Sequence, residues 1–248
     1  MVAKVNVNEV FNSIQREGPF AGTRQVFVRF QGCPLNCVYC NSTSAKPFES
    51  SREVKCDSTR VLRNPVSTKD LAELVKSLWT PSTQYLSITG GEPLLHTQFI
   101  SELAEEFCVP LYLKTNAMFS REAKQLKHAV HIVACDIKLP KHRATPTYDL
   151  LLREELRTVK CFHNSPAYVL AKVVVLEETS SEMVESWPKA LRPLTTIYCL
   201  CSSPSRQFSR LHNQLIVSSC DLWNCCCVFK SGEGYTADAC ATRDDVNT

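Results

Sequence analysis

Residues 25–40 read Gln25-Val26-Phe27-Val28-Arg29-Phe30-Gln31-Gly32-Cys33-Pro34-Leu35-Asn36-Cys37-Val38-Tyr39-Cys40, a strand-forming run that stops at a glycine and opens onto cysteines spaced C-x3-C-x2-C. The β-branched and aromatic residues predict a strand over 25–30. The cysteine loop then sits at that strand's C-terminal end, where parallel α/β folds bind ligands. Three thiolates within eight residues can reach one small volume. A [4Fe–4S] cluster held by only three protein thiolates keeps one iron without a protein ligand. An open position on a metal centre is where a substrate or cofactor binds and reacts. A zinc knuckle is the other reading of such a triplet, but it needs a fourth close ligand. None follows nearby: Cys56 is sixteen residues past Cys40, and the first histidine is His96.

The 248 residues suffice for one domain with a sizeable core. With 44% apolar and 21% charged residues, the composition is that of a soluble globular chain. A net charge of +3 is too small to make nucleic acid the main partner. No apolar run approaches a membrane span, and Met1-Val2-Ala3-Lys4-Val5-Asn6 lacks the apolar core of a signal peptide. The expectation is a cytoplasmic protein with no membrane and no nucleic-acid partner. Fourteen cysteines in such a chain fit reduced thiols and a metal cluster better than disulfides. Seven of them lie in residues 1–190 and seven in 191–248, so the end of the chain differs in composition.

Outward from the cysteine loop the pattern alternates. An extended segment precedes a loop at Gln15–Pro19, and residues 44–66 read as a loop or short hairpin insert. Ser67-Thr68-Lys69-Asp70 offers a helix cap, followed by Leu71, Leu74, Val75 and Leu78 at helical spacing. Strands are predicted at Gln84–Ile88, Leu111–Lys114, His131–Asp136, Tyr168–Leu176 and Thr195–Leu200. Helices are predicted through Phe99, Leu103 and Phe107, and over 120–128, 149–158 and 181–190. Repeated βα units of this size predict a parallel sheet with helices outside, open or barrel-like.

The turn Thr89-Gly90-Gly91-Glu92-Pro93 lies between a predicted strand and a predicted helix, some fifty residues past the cysteines. Two glycines let backbone approach a ligand closely, and their N–H and C=O groups can hydrogen-bond an amino-acid moiety. In this order, the C-x3-C-x2-C triplet and the Gly-Gly-Glu turn resemble those of the radical S-adenosylmethionine (SAM) superfamily. That resemblance implies a partial (βα)6-type TIM barrel. It also implies a [4Fe–4S] cluster on Cys33, Cys37 and Cys40 whose open iron binds SAM, yielding a 5′-deoxyadenosyl radical. Within the superfamily, the segment Asn8-Glu9-Val10-Phe11-Asn12-Ser13-Ile14-Gln15-Arg16-Glu17-Gly18-Pro19, then Phe27-Val28-Arg29-Phe30, Gly32-Cys33 and Cys40-Asn41-Ser42, resemble the 7-carboxy-7-deazaguanine synthase family. The likeness runs from about Asn8 to Asp136-Ile137-Lys138.

The family resemblance implies conversion of 6-carboxy-5,6,7,8-tetrahydropterin to 7-carboxy-7-deazaguanine with loss of ammonia, in deazapurine biosynthesis of the queuosine or archaeosine type. SAM is regenerated in that chemistry. By position, Ile14, Gln15, Arg16, Arg29 and Thr89 fall on substrate contacts, with Arg29 on the carboxylate, for which a bidentate guanidinium is apt. Tyr39, Cys40, Asn41, Gly91, Asp136, Ile137 and Lys138 fall on SAM contacts. Ser42 falls on the hydroxyl ligand of Mg2+, an ion that rarely has an all-protein cage. A reduced flavodoxin or ferredoxin as electron donor and a homodimer are also implied. Two bland readings stand beside these: Asp136 with Lys138 as a surface ion pair of little worth, and Arg29 as a solvated strand-end charge. Against the second, its neighbours Phe27, Val28 and Phe30 suggest a buried strand whose arginine wants an anionic partner.

The sequence departs from the family in three places. Gln15-Arg16-Glu17-Gly18 replaces Gln-Gly-Glu-Gly, which is tolerable if Arg16 keeps a negative φ. Asn41 stands where Asp is commoner. Beyond about residue 197 the family's Gln-Pro and Pro-Gln-x-His-Lys segments have no match, and Tyr198-Cys199-Leu200-Cys201-Ser202-Ser203-Pro204 occupies the first place. The chain therefore divides into a barrel core at 1–200 and a cysteine-rich tail at 201–248. The tail has three readings: a second metal site on Cys199, Cys201, Cys220 and Cys225; a divergent family end; or, as the leading one, a shift of reading frame near residues 190–200. Two other functions compete with the main one, a glycyl-radical-enzyme activase of the same superfamily and a non-catalytic iron–sulfur or metal-binding protein.

Overall fold

The strand that carries the cysteine loop runs over Arg24–Phe30 and lies inside a long mixed sheet. The computed structural model describes residues 3–40, 53–56, 62–176, 191, 196–201, 225–231 and 234–238. Its strands are β1 (Lys4–Val5), β2 (Val7–Ile14), β3 (Arg24–Phe30), β4 (Lys55–Cys56), β5 (Val66–Ser67), β6 (Thr83–Gly90), β7 (Leu111–Thr115), β8 (Ile132–Ile137), β9 (Tyr168–Val175), β10 (Thr196–Cys201), β11 (Cys225–Ser231) and β12 (Gly234–Asp238). Its helices are α1 (Thr68–Leu78), α2 (Thr97–Phe107), α3 (Ser120–Leu126) and α4 (Tyr148–His163).

Among the described residues the main sheet has the order β12-β11-β10-β9-β8-β7-β6-β3-β2-β4. The run β3-β6-β7-β8-β9-β10-β11 is parallel throughout, and β2 and β12 pair antiparallel at its two sides. Each parallel strand takes its place beside the one before it. That is the winding of a barrel wall rather than of a doubly wound sheet.

Alternation along the strands sorts the side chains onto two faces. Val26, Val28 and Phe30 of β3, Leu86 and Ile88 of β6, Leu111 and Leu113 of β7, Val133, Cys135 and Ile137 of β8, and Val169, Ala171 and Val173 of β9 share one core. The buried faces of the helices join it through Leu71, Leu74, Phe99, Leu103, Leu126 and Phe162. The opposite, inner face carries a separate cluster of Tyr112, Ile132, Ala134 and Leu170. Phe20, from the turn after β2, meets Tyr85, Tyr112 and Tyr168 edge-on at 5.6–5.9 Å, a favoured aromatic geometry that closes one end of that face.

The expected α/β partial barrel is what folds. Ser67 caps α1, its hydroxyl accepting from the Asp70 N–H at 3.2 Å. The helix expected over 149–158 runs on to His163, because Val159 and Phe162 continue its buried face. Glu155 and Thr158 interrupt that face in sequence and hide its periodicity. The helix expected over 181–190 lies outside the described residues.

Candidate active site

The cysteine loop is held by main chain on two sides. Gly91 donates its N–H to the Phe30 carbonyl at 2.9 Å, and Glu92 donates to the Gly32 carbonyl at 2.6 Å. The Gly-Gly pair is obligatory there. A Cβ on Gly91 would lie 2.0 Å from the Gly32 oxygen, and one on Gly90, whose φ is +112°, would lie 2.3 Å from the Phe30 oxygen. The expectation that these glycines offer free N–H groups to a ligand needs correcting: Gly91 N–H binds the fold, so a bound amino group would have to meet carbonyls. From the other side, Asn36 N–H donates to the Ala144 carbonyl at 2.9 Å and Val38 N–H to the His142 carbonyl at 3.1 Å.

Glu92 is fully buried and ties this turn to the end of β7. Its carboxylate accepts from Leu94 N–H, the Thr115 hydroxyl and Asn116 N–H at 2.6–2.8 Å. Burial pushes its pKa up to about 7 even against those donors. Asn116 in turn sets its side-chain nitrogen 3.8 Å from the Cys33 sulfur.

Burial raises the Cys33 and Cys37 thiols, and neighbouring thiolates add to the rise: Cys37 and Cys40 at Cys33, and Cys40 at Cys37. The three sulfurs are thus electrostatic neighbours, with Cys33 and Cys37 packed against Leu35, Ala144, Leu151 and Met118. No three His, Cys, Asp or Glu side chains among the described residues converge on a single ion. An iron–sulfur cluster does not ask for that, since its thiolates bind different irons. Three partly buried cysteines on one short loop, two of them raised by their neighbours' thiolates, are a donor set that such a cluster fits.

Beside the loop runs a chain of buried charges. Lys138, 4% exposed, donates to the Tyr39 hydroxyl at 2.8 Å and pairs with Asp136 at 2.9 Å. The Tyr39 hydroxyl donates to the other Asp136 oxygen at 3.4 Å, and its ring meets His142 edge-on at 4.7 Å. Lys172 on β9, in register with Asp136, reaches Asp136 at 3.3 Å and Glu17 at 3.6 Å. Glu17 also pairs with Lys114 of β7 at 3.0 Å, and Lys114 approaches the Gln15 side-chain oxygen at 3.4 Å.

Burial alone would raise both carboxyls, but Lys114 and Lys172 hold Glu17 at about 2, and Lys138 and Lys172 hold Asp136 at about 2. Both stay ionised at neutral pH. Burial disfavours the charge on Lys172, yet Asp136 and Glu17 outweigh it and raise the ammonium. Burial takes His142 down to about 4, so its ring is neutral; it takes the Leu139 N–H at 2.9 Å and lies 2.7 Å from the Val174 carbonyl.

On the substrate side, Gln15 is buried. Its backbone is spent on the loop, with its N–H donating to Thr23 and its carbonyl accepting from Gly22, and its side-chain oxygen accepts from Arg16 and Glu17 N–H. Its side-chain nitrogen is buried and finds no partner among the described residues. A buried donor in that state calls for a ligand acceptor or water. Ser87 Oγ and Tyr112 OH, cross-strand neighbours, are buried without partners as well.

The structure thus gathers Gln15, Tyr39, Cys37, Asp136 and Lys138 along one inner surface, and sets Thr89 beside Arg29 in the β3–β6 register. Arg16 is absent from the positive-φ residues, as its tolerance required. Three expectations change. Arg29 is not deeply buried: it is 39% exposed, pairs with Glu9 at 2.7 Å and lies over the Phe11 ring, so its anionic partner is already supplied by β2. Ile137 turns its side chain into the helix-side core, and only its main chain can serve a ligand. Asp136 with Lys138 is a buried pair, not a surface one. Ile14 ends β2 with an exposed side chain. Asn41 and Ser42, and the tail cysteine Cys220, lie outside the described residues, as do the side chains of Cys199, Cys201 and Cys225.

The sequence reading missed Lys114 and Lys172 altogether and gave Glu17 no role. A lysine inside Tyr168-Val169-Leu170-Ala171-Lys172-Val173-Val174-Val175 was the available signal, since a charge among β-branched strand residues needs a buried partner.

Comparison with known proteins gives one consistent picture. Residues 18–134 match the family of 4Fe-4S single cluster domains. A 7-carboxy-7-deazaguanine synthase of Methanocaldococcus jannaschii is 35% identical over 204 residues, covering 80% of this chain and 82% of that protein. One of Geobacter sulfurreducens is 35% identical over 183 residues, covering 70% of each. Among solved structures, QueE from Escherichia coli superposes with a TM-score of 0.62 at 20% identity, covering 90% of this chain and 93% of that one, which shows a shared fold.

Proposed function

The chain belongs to the 7-carboxy-7-deazaguanine synthase family, and from that premise we propose that it converts 6-carboxy-5,6,7,8-tetrahydropterin to 7-carboxy-7-deazaguanine with loss of ammonia. The observation that carries the reading is the junction at Glu17. Glu17 directly follows Ile14, Gln15 and Arg16, which are expected to meet the pterin, and lysines link it to Asp136, Lys138 and Tyr39, which are expected to meet SAM.

Cys33, Cys37 and Cys40 would hold the [4Fe–4S] cluster, which with SAM would supply the one-electron chemistry of this family. The protein's own residues bind and orient. Tyr39, Cys40, Asn41, Gly91, Asp136, Ile137 and Lys138 would bind SAM, with Asp136 and Lys138 able to offer one charge each to its amino and carboxylate groups. Ile14, Gln15, Arg16, Arg29 and Thr89 surround the pterin. The unpartnered Gln15 nitrogen donates to a ring acceptor, and Arg29 receives the carboxylate by exchanging Glu9 for it. Ser42 binds Mg2+ on the substrate. A reduced flavodoxin or ferredoxin delivers the electron, and the protein works as a cytoplasmic homodimer.

The test is anaerobic incubation of cluster-reconstituted protein with SAM, Mg2+, dithionite and carboxytetrahydropterin, read by mass spectrometry. A deazaguanine carboxylate and free ammonia are expected. Deoxyadenosine formed without any pterin conversion would overturn the substrate, and activity only on a protein partner would favour a glycyl-radical-enzyme activase.

A further inference from the structure

Each carboxylate in the buried charge chain already has a lysine of its own: Lys114 on Glu17 at 3.0 Å and Lys138 on Asp136 at 2.9 Å. Lys172 is the additional cation. It lies between the two carboxylates, 3.3 Å from Asp136 and 3.6 Å from Glu17, with its own side chain 15% exposed. Its strand neighbours Ala171 and Val173 are buried in the helix-side core. Keeping an ammonium at such a place costs desolvation that an apolar residue would not, so stability alone does not explain it. Without it, two ionised carboxylates would face each other, and Asp136 already works to raise the Glu17 pKa.

We infer that Lys172 is a positioning residue that locks the segment carrying Gln15 and Glu17 to the segment carrying Asp136 and Lys138, and so couples pterin binding to SAM binding. The inference rests on the function proposed above and assigns a role to a residue outside both expected contact sets. Physically, a ligand that orders Glu17 orders Asp136 through the shared ammonium, and the coupling is reciprocal between the two ligands. Lys172 touches neither ligand in this account; it sets the distance between the groups that do.

The experiment is calorimetric titration of the cluster-loaded protein with carboxytetrahydropterin, with and without SAM, beside the ratio of deoxyadenosine released to pterin converted. In the wild type SAM is expected to tighten the pterin by about tenfold, a common size for coupling between sites. In Lys172→Gln that factor falls to near one and the deoxyadenosine ratio rises several-fold, while Lys172→Arg restores both. A merely structural lysine would lower stability without moving either number. If Lys172→Gln does not fold, Glu17→Gln cuts the same bridge from its other end and is read in the same way. Coupling retained in a folded bridge variant, or absent from a wild type that turns over, overturns the inference. A wild type that neither binds nor converts the pterin overturns the function reading instead.

Discussion

On β7, Leu111 and Leu113 enter the helix-side core while Tyr112 and Lys114 occupy the inner face; on β9, Ala171 and Val173 do the first and Leu170 and Lys172 the second. The two faces of the same strands are built on different physics. The helix side is chiefly hydrocarbon, closed by α1 to α4 and interrupted by the buried Glu155 and Thr158 of α4, and most of its free energy scales with area removed from water. The inner side spends burial on ions and on polar atoms that find no partner within the described fold, such as Ser87 Oγ, Tyr112 OH and the Gln15 nitrogen. A fold can be specified by the first face alone. The second face costs stability, and its cost is a map of where ligands are expected.

The contrast can be broken most severely at the cysteine loop. Cys37→Ala should reduce iron content to background and abolish deoxyadenosine formation from SAM, while circular dichroism stays that of a folded protein, because the loop is anchored by main chain. Iron bound at the wild-type level would refute the cluster assignment. Neighbouring residues on β6 give the next test. Ile88→Ala opens a cavity in the helix-side core and should cost about 2–5 kcal/mol in denaturant unfolding. Ser87→Ala one residue earlier removes an unpartnered hydroxyl and should change stability by no more than about 0.5 kcal/mol. Equal losses at the two positions would erase the distinction between the faces.

A further test is in acid. The Glu17 pKa is held at about 2 in the folded chain against an ordinary value of 4.5. A depressed carboxyl contributes stability that is fully present above the unfolded pKa and lost as pH falls toward the folded one. Part of the wild-type loss between about pH 4.5 and pH 2 should therefore vanish in Glu17→Gln, on the order of 2 kcal/mol. An acid limb identical in the two proteins would mean that the lysines do not hold the Glu17 charge.

Much of this was legible in the residues because it is local. A β-branched run ending at Gly32, a serine before a helical period and a cysteine triplet each declare themselves within a few positions. The inner face was not legible for the opposite reason. Glu17 and Lys114 are 97 residues apart, and Tyr39 and Lys138 are 99 apart; only the parallel stacking of β7, β8 and β9 brings such pairs together. Arg29 misled because its apolar neighbours Phe27, Val28 and Phe30 suggested burial, whereas alternation brings it beside Glu9 across the β2–β3 pairing. Glu155 and Thr158 shortened the expected α4 because polar residues on a buried face break the period that reveals it.

The contact between Gly91 and the Gly32 carbonyl carries a lesson for anyone seeking to give this scaffold a new substrate. Where two backbones touch with no room for a methyl group, a library of side chains has nothing to act on. Diversity introduced at residues 90–92 or 30–33 would be spent on chains that do not assemble. Variation at Gln15 would leave the cysteine scaffold in place. The immobile part of the site and its adjustable part are therefore separable, and a redesign can address selectivity without reopening the placement of the metal.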